Sequence, residues 1–203
     1  MASEIKANKI SPATGTAFTI GDSGDTFTLP SGATLAVASG ATISNAGTAS
    51  GFGLFTSYAE IADQKTSGTE GGTSVASAWY TRDLNTEISD PDSIVSISSN
   101  QFTLGAGTYY IVWEVPFFGT AATRTRLANI TDSTYSYSKS NYAAGANNGS
   151  QWVNGTARIT LASSKVFEIQ YICVTARATT GLGNATTSGV PEQYTTVEIF
   201  KEA

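Results

Sequence analysis

Residues Asn100–Val115 read NQFTLGAGTYYIVWEV. Gln101–Phe102–Thr103–Leu104 alternates polar and apolar side chains. Gly105–Ala106–Gly107 is turn chemistry, and Tyr109–Tyr110–Ile111–Val112–Trp113 is a dense β-branched and aromatic run. A short alternating strand, a glycine turn and an aromatic strand predict a β-hairpin. Working outward, further strands are predicted over Leu54–Ile61, Ala76–Leu84, Ile94–Ile97, Thr123–Thr131, Thr134–Ser140, Ser150–Leu161, Lys165–Thr175 and Tyr194–Lys201. Loops are expected at Lys65–Thr73, Ala143–Gly149 and Thr179–Gly189. No useful stretch has helical period. Many strands joined by Gly-rich turns imply an all-β protein, an antiparallel sandwich or jelly roll over residues 51–203.

Residues 1–50 read differently. Apolar residues come in pairs two apart, Phe18 with Ile20, Phe27 with Leu29 and Leu35 with Val37, followed by Ile43. Each pair puts both side chains on one face of a short strand. The intervening GDSGD, PSGAT and ASGAT are turn sequences. SGATLAVA from Ser31 nearly repeats as SGATISNA from Ser39. A repeat of this kind predicts a β-stalk or docking arm of short strands and turns. A single thin ribbon cannot bury these side chains, whereas three wound together supply a shared apolar axis. The alternative is a flexible arm. Gly47–Phe52 is the expected hinge.

Composition excludes several functions. Net charge is −5, and the nearest approach to a basic cluster is Arg124 with Arg126, so no nucleic-acid partner is expected. The chain has no histidine and one cysteine, Cys173. The usual Ser/His/Asp and Cys/His nucleophiles, intrachain disulfides and ordinary zinc sites are therefore absent. No cofactor or metal is expected, and the protein is read as a non-enzyme. Asp90 and Asp92 in SDPD read as a turn, with calcium the alternative. A polysaccharide depolymerase would need a carboxylate pair in a groove. No segment has the length for a membrane span or the pattern of an export signal, so synthesis in a cytoplasm without membrane insertion is expected.

Tyr135, Tyr137 and Tyr142 lie among Ser and Asn in TYSYSKSNYAAGANNGSQW, with Lys139 between them. Tyrosines in such company suit sugar or protein recognition. The same face could instead pack on a neighbouring subunit. Trp79, Trp113 and Trp152 lie in strand runs and are expected in the core or a subunit interface.

Several segments, in order, resemble the globular heads of the complement q-subcomponent and tumour-necrosis-factor superfamily. They are Leu54–Ala59, Val95–Leu104 with Gly107–Val115, Gly155–Leu161 with Val166–Gln170, and Tyr194–Phe200. That resemblance implies a homotrimer, seldom an enzyme, whose last strand lies in the middle of a sheet. Over the whole chain, SEIKANKISPATG, GDSGDTFTLPSGATL, TRDLNTEISDP and the closing VEIFKEA resemble bacteriophage virion fibre and decoration proteins. This second resemblance implies a place on the virion surface. The arm would contact capsid or tail proteins, and the exposed head would serve adhesion, surface stabilisation or, at a tail-fibre tip, recognition of a host glycan or protein.

Overall fold

The structure, a computed structural model, describes residues 20, 22–43, 54–142 and 149–202. The chain divides into two units, Met1–Thr48 and Ala49–Ala203.

In the first unit, the described residues form no strand. They form three turns. Asp25 N donates to Asp22 O, Ala33 N to Pro30 O and Ala41 N to Ala38 O, each at 3.0 Å. The third position of each turn is a glycine with positive φ: Gly24 (96°), Gly32 (84°) and Gly40 (82°). That is where a type II turn demands glycine. The turns recur every eight residues, and side-chain exposure keeps the same beat. Phe27, Leu35 and Ile43 are 63%, 62% and 59% exposed, and Leu29 and Val37 are 43% and 44% exposed. The expected short strands thus have no strand partner among the described residues. Ile20 is also exposed, while Phe18 lies outside the described residues.

Among its described residues the second unit holds twelve strands. They are β1 (Phe55–Lys65), β2 (Tyr80–Thr81), β3 (Thr86–Ser89), β4 (Val95–Ser98), β5 (Gln101–Leu104), β6 (Gly107–Phe118), β7 (Ala122–Asn129), β8 (Thr134–Tyr137), β9 (Asn141–Tyr142), β10 (Ser150–Leu161), β11 (Lys165–Cys173) and β12 (Glu192–Glu202). One sheet runs β10-β6-β12-β1-β3. The other runs β4-β5-β11-β7-β8, with β2 on β11 and β9 on β7. All pairings are antiparallel. The chain passes repeatedly from one sheet to the other, as a jelly roll requires, and β12 lies inside its sheet, between β6 and β1.

The predicted hairpin is corrected by this order. β5 pairs with β4 and β11, and β6 pairs with β10 and β12. Gly105–Gly107 therefore carries the chain across the sandwich rather than back along one sheet. The cause is burial: Phe102 and Leu104 on β5 and Tyr109, Ile111 and Trp113 on β6 are all core residues, so the two strands face each other through the core. The predicted strand over Ala76–Leu84 shrinks to β2, because Ser77 adopts φ 72° and Arg82 turns inward.

Two close approaches fix the core. Phe102 stacks on Phe167 across their registered pair, centroids 5.6 Å apart. The Trp113 indole spans the sandwich and donates through Nε1 to Thr125 Oγ1 at 2.8 Å. Its cross-strand partner is Gly155, where a Cβ would stand 2.0 Å from the indole ring, so only glycine fits under it.

Arg82 is fully buried. Its Nε donates to Thr195 Oγ1 at 2.8 Å and its Nη2 to Leu182 O at 2.9 Å. The guanidinium carbon lies 5.6 Å from the centre of Phe117 and 5.9 Å from that of Tyr171. Burial lowers its pKa to about 10, while the nearby Asp63 charge favours the cation. Burial pushes the Asp63 carboxyl up, and the Lys65 ammonium, 2.9 Å away, pulls it back. Arg82→Met leaves the Thr195 hydroxyl and the Leu182 carbonyl without a donor and Asp63 without its second cation. We expect a loss of about 3 kcal/mol, read as a lower urea midpoint at unchanged slope.

The two longest described loops are ordered against each other. Gly71 N donates to Gly183 O and Leu182 N to Gly72 O. The Glu192 carboxylate accepts from Gly68 N, Thr186 N, Thr187 N and the Thr186 hydroxyl. These donors, the Gly68 amide foremost, hold its pKa down at about 2 against an ordinary 4.5. A carboxyl depressed on folding stabilises the protein above its ordinary pKa, and that stability is lost as pH falls toward the folded value. Thermal midpoints should fall between about pH 4.5 and 2, and Glu192→Gln should flatten that fall while lowering the midpoint at pH 7.

Candidate functional site

Along β7, Thr123, Thr125, Leu127 and Asn129 face inward, while Arg124, Arg126 and Ala128 alternate onto the outer face. The register puts Arg126 opposite Tyr137 of β8 on one side and opposite Gln170 of β11 on the other. Tyr135 stands opposite Ala128. These residues therefore meet on the outer surface of the second sheet, and Trp79, from the segment before β2, closes over them.

The Arg126 guanidinium carbon lies 4.2 Å from the centre of the Trp79 ring and 3.8 Å from that of Tyr135. Trp79 in turn tilts against Tyr137 at 5.9 Å, and Tyr135 against Tyr137 at 6.2 Å. Arg126 Nε donates to Gln170 Oε1 at 2.6 Å. The Gln170 amide is oriented from behind by Glu168, which accepts from Gln170 Nε2, from Thr81 Oγ1 at 3.0 Å and from Gln101 Nε2 at 3.1 Å. Arg124 is held similarly: its Nε donates to Ser138 O at 3.0 Å, and its carbon lies 4.9 Å from the centre of Tyr137. Both guanidinium planes are thus fixed through Nε and an aromatic face, and neither arginine meets a carboxylate among the described residues.

Of the residues flagged from sequence, Tyr135 and Tyr137 share this cluster, each a little under half exposed. Lys139 is exposed just past β8, and Tyr142 on β9 stands opposite Ala122, toward the far end of β7. Neither makes a ring contact with the cluster. Sequence reasoning expected Trp79 in the core or a subunit interface, whereas it lies over Arg126 on the outer face; it set Arg124 and Arg126 aside as too small a basic cluster and left out Gln170. The two arginines read as a solvated strand face, and only the β8-β7-β11 register shows what they meet. Asp90 is a turn residue as read: its two oxygens accept from Ile94 N at 2.9 Å and Val95 N at 3.0 Å. Cys173 is buried, and burial pushes its thiol pKa up.

The outer face of the first sheet carries a second group. Phe55, Tyr58, Tyr110 and Phe200 form a ring cluster, with centroids 5.0 Å apart for Tyr58 and Phe200 and 5.2 Å for Phe55 and Phe200. Beside them Glu60 faces Glu198 directly across β1 and β12. The Tyr58 hydroxyl donates to Glu60 Oε2 at 3.2 Å. Its pKa is raised to about 12, by burial first and then by the Glu60 and Glu198 charges. Trp152, on edge strand β10 of the same sheet, is 56% exposed. It is not a core residue, whereas Trp113 is.

An all-β sandwich of this strand order, here with one aromatic-cationic face and one aromatic-acidic face, is an antiparallel jelly roll. No protein-family model matches the chain, and no curated protein matches it. Among solved structures, the globular domain of zebrafish complement 1qA protein aligns at 16% identity and a TM-score of 0.45, over 71% of this chain and 95% of that one. Murine APRIL at pH 8.5 aligns at 8% identity and a TM-score of 0.47, and murine APRIL at pH 5.0 at 10% and 0.47. Each covers 71% of this chain and 98% of the other. The likeness is one of fold.

Because Tyr135 contributes through an exposed cation–π contact, Tyr135→Ala should cost only about 0.5–1 kcal/mol. Chemical denaturation should show that small shift, where truncating a core aromatic such as Phe102 costs about 3–5 kcal/mol.

Proposed function

We propose that this chain is a non-enzymatic subunit of a homotrimeric surface-display protein, a short fibre or decoration protein of a phage virion. Residues 1–50 act as its stalk or docking arm, and residues 51–203 as the displayed head. The observation that carries the reading is the arm's register. Five apolar side chains recur on an eight-residue beat with matched exposure, and each beat is set by a glycine turn. A regular backbone that leaves Phe27, Leu35 and Ile43 in solvent has not buried the surface its pattern was made to bury. Two further copies winding beside it supply that partner.

The head supports the same reading. The Phe55–Tyr58–Tyr110–Phe200 cluster offers an apolar face, and Trp152 offers an apolar edge on the same sheet. A face that meets a neighbour's edge is a heterologous contact, and such contacts close into a ring of three when each copy is turned by a third of a circle. Attachment to a particle then gives many weakly binding heads a common avidity. The virion surface itself rests on the whole-chain resemblance of the arm and the closing strand. A receptor-recognising tail-fibre tip is the second reading, favoured by the two carboxylate-free arginines on the other face.

Light scattering on the full chain should give three times 21.1 kDa. A chain beginning at Leu54 should keep the trimer mass if the head drives assembly. Leu35→Asp in the full chain should make the arm sensitive to brief proteolysis while leaving the head intact. A monomeric full chain with a protease-labile arm sinks the reading.

A further inference from the structure

The geometry points to the outer face of the second sheet as a binding site for a carboxylated polysaccharide, with Arg126 and Arg124 as the carboxylate forks and Tyr135 and Tyr137 as the stacking surface. This deepens the display reading by naming the chemistry the head takes.

The arginines are prepared for an anion. A guanidinium pairs a carboxylate through two parallel N–H donors in one plane. In both residues Nε is already engaged, Arg126 with Gln170 Oε1 and Arg124 with Ser138 O. The terminal nitrogens of both have no hydrogen-bond partner among the described residues. Stacking of Arg126 between Trp79 and Tyr135 holds the plane, so little side-chain freedom remains to be lost on binding. Elsewhere in the second unit Lys65, Arg158 and Lys165 are each neutralised by a carboxylate, while Arg124 and Arg126 are two neighbouring guanidinium groups on one face without one. Exposed Lys139 adds charge nearby. The one acid facing the cluster, Glu168, is buried and already accepts from Thr81, Gln101 and Gln170, so it orients the amide behind Arg126.

Contact number and shape select the partner. The chain's net −5 repels any polyanion at long range, so binding has to come from fitted contacts. Two forks cannot replace the many phosphate contacts from which nucleic-acid affinity is built. Planar carboxylates carried on sugar rings match the two forks. Each fork takes one carboxylate, and the half-exposed faces of Tyr135 and Tyr137 offer flat apolar area to the ring carbons.

The test is affinity electrophoresis of the full chain in gels holding polygalacturonate, polysialic acid, fully methyl-esterified polygalacturonate or single-stranded DNA, at low and at physiological salt. We expect retardation by at least one of the two carboxylated polymers, at least tenfold weaker with the esterified polymer. Arg126→Gln and Arg124→Gln should each weaken it about tenfold or more, and Arg126→Lys by an intermediate factor, with thermal midpoints showing that each variant is folded. Retardation by neither carboxylated polymer, equal retardation of Arg126→Gln, or DNA binding as strong as polyuronate binding each overturns the proposal. Light scattering on the same samples separates the two readings. A trimer that binds neither polymer removes this site and leaves the display role, while a monomer that binds keeps the site and removes the trimer.

Discussion

A fully buried guanidinium constrains the head more than any other single group. Arg82 follows a two-residue strand too short to hold itself, yet it reaches Thr195 on β12, the Leu182 carbonyl in a distant loop and the field of Asp63 on β1. A charge with no solvent must find its partners inside the protein, so those three segments have one acceptable arrangement. The loop around Leu182 is in turn zipped to the loop around Gly71, and Glu192 clamps both from the start of β12. A sandwich held by apolar contact alone could slide in register. Here the polar interior fixes where β12 enters, and therefore where every neighbour of β12 lies.

The two outer faces divide the chemistry. On the first sheet, Glu60 and Glu198 stand opposite each other on neighbouring strands, a like-charge pair that costs stability. On the second sheet, arginines without carboxylates stack on aromatic rings. Unpaired charges of opposite sign therefore sit on opposite sides of one sandwich. Neither arrangement is what packing of a single chain would select.

How much of this was legible in sequence depended on range. Ser150–Leu161 was predicted with its observed limits, because Asn147–Asn148–Gly149 precedes it and Ala162–Ser163–Ser164 follows it in the sequence. Which tryptophan points inward was not legible. Trp152 and Trp113 sit in equally strand-like runs, and the phase of β10 is set by Gly155 fitting beneath Trp113, a contact between strands. β3 escaped notice because TEIS has one apolar residue. The supposed hairpin at Gly105 failed for a related reason: a glycine turn between two apolar strands suits a return along one sheet or a crossing to the other, and only the distant partners of β5 and β6 decide. Tyr135 and Tyr137 stood out by composition, whereas Arg126 and Gln170 gained meaning only through the pairing of β7 with β8 and β11.

The eight-residue beat of the N-terminal unit has a consequence for how such a chain can change. Duplicating or deleting one whole octad keeps every glycine at its turn and every apolar residue on its face, while an insertion of three or five residues throws all later positions out of phase. The segment is in effect a ruler graduated in octads. Its length is open to stepwise genetic editing that leaves the sequence of the sandwich untouched.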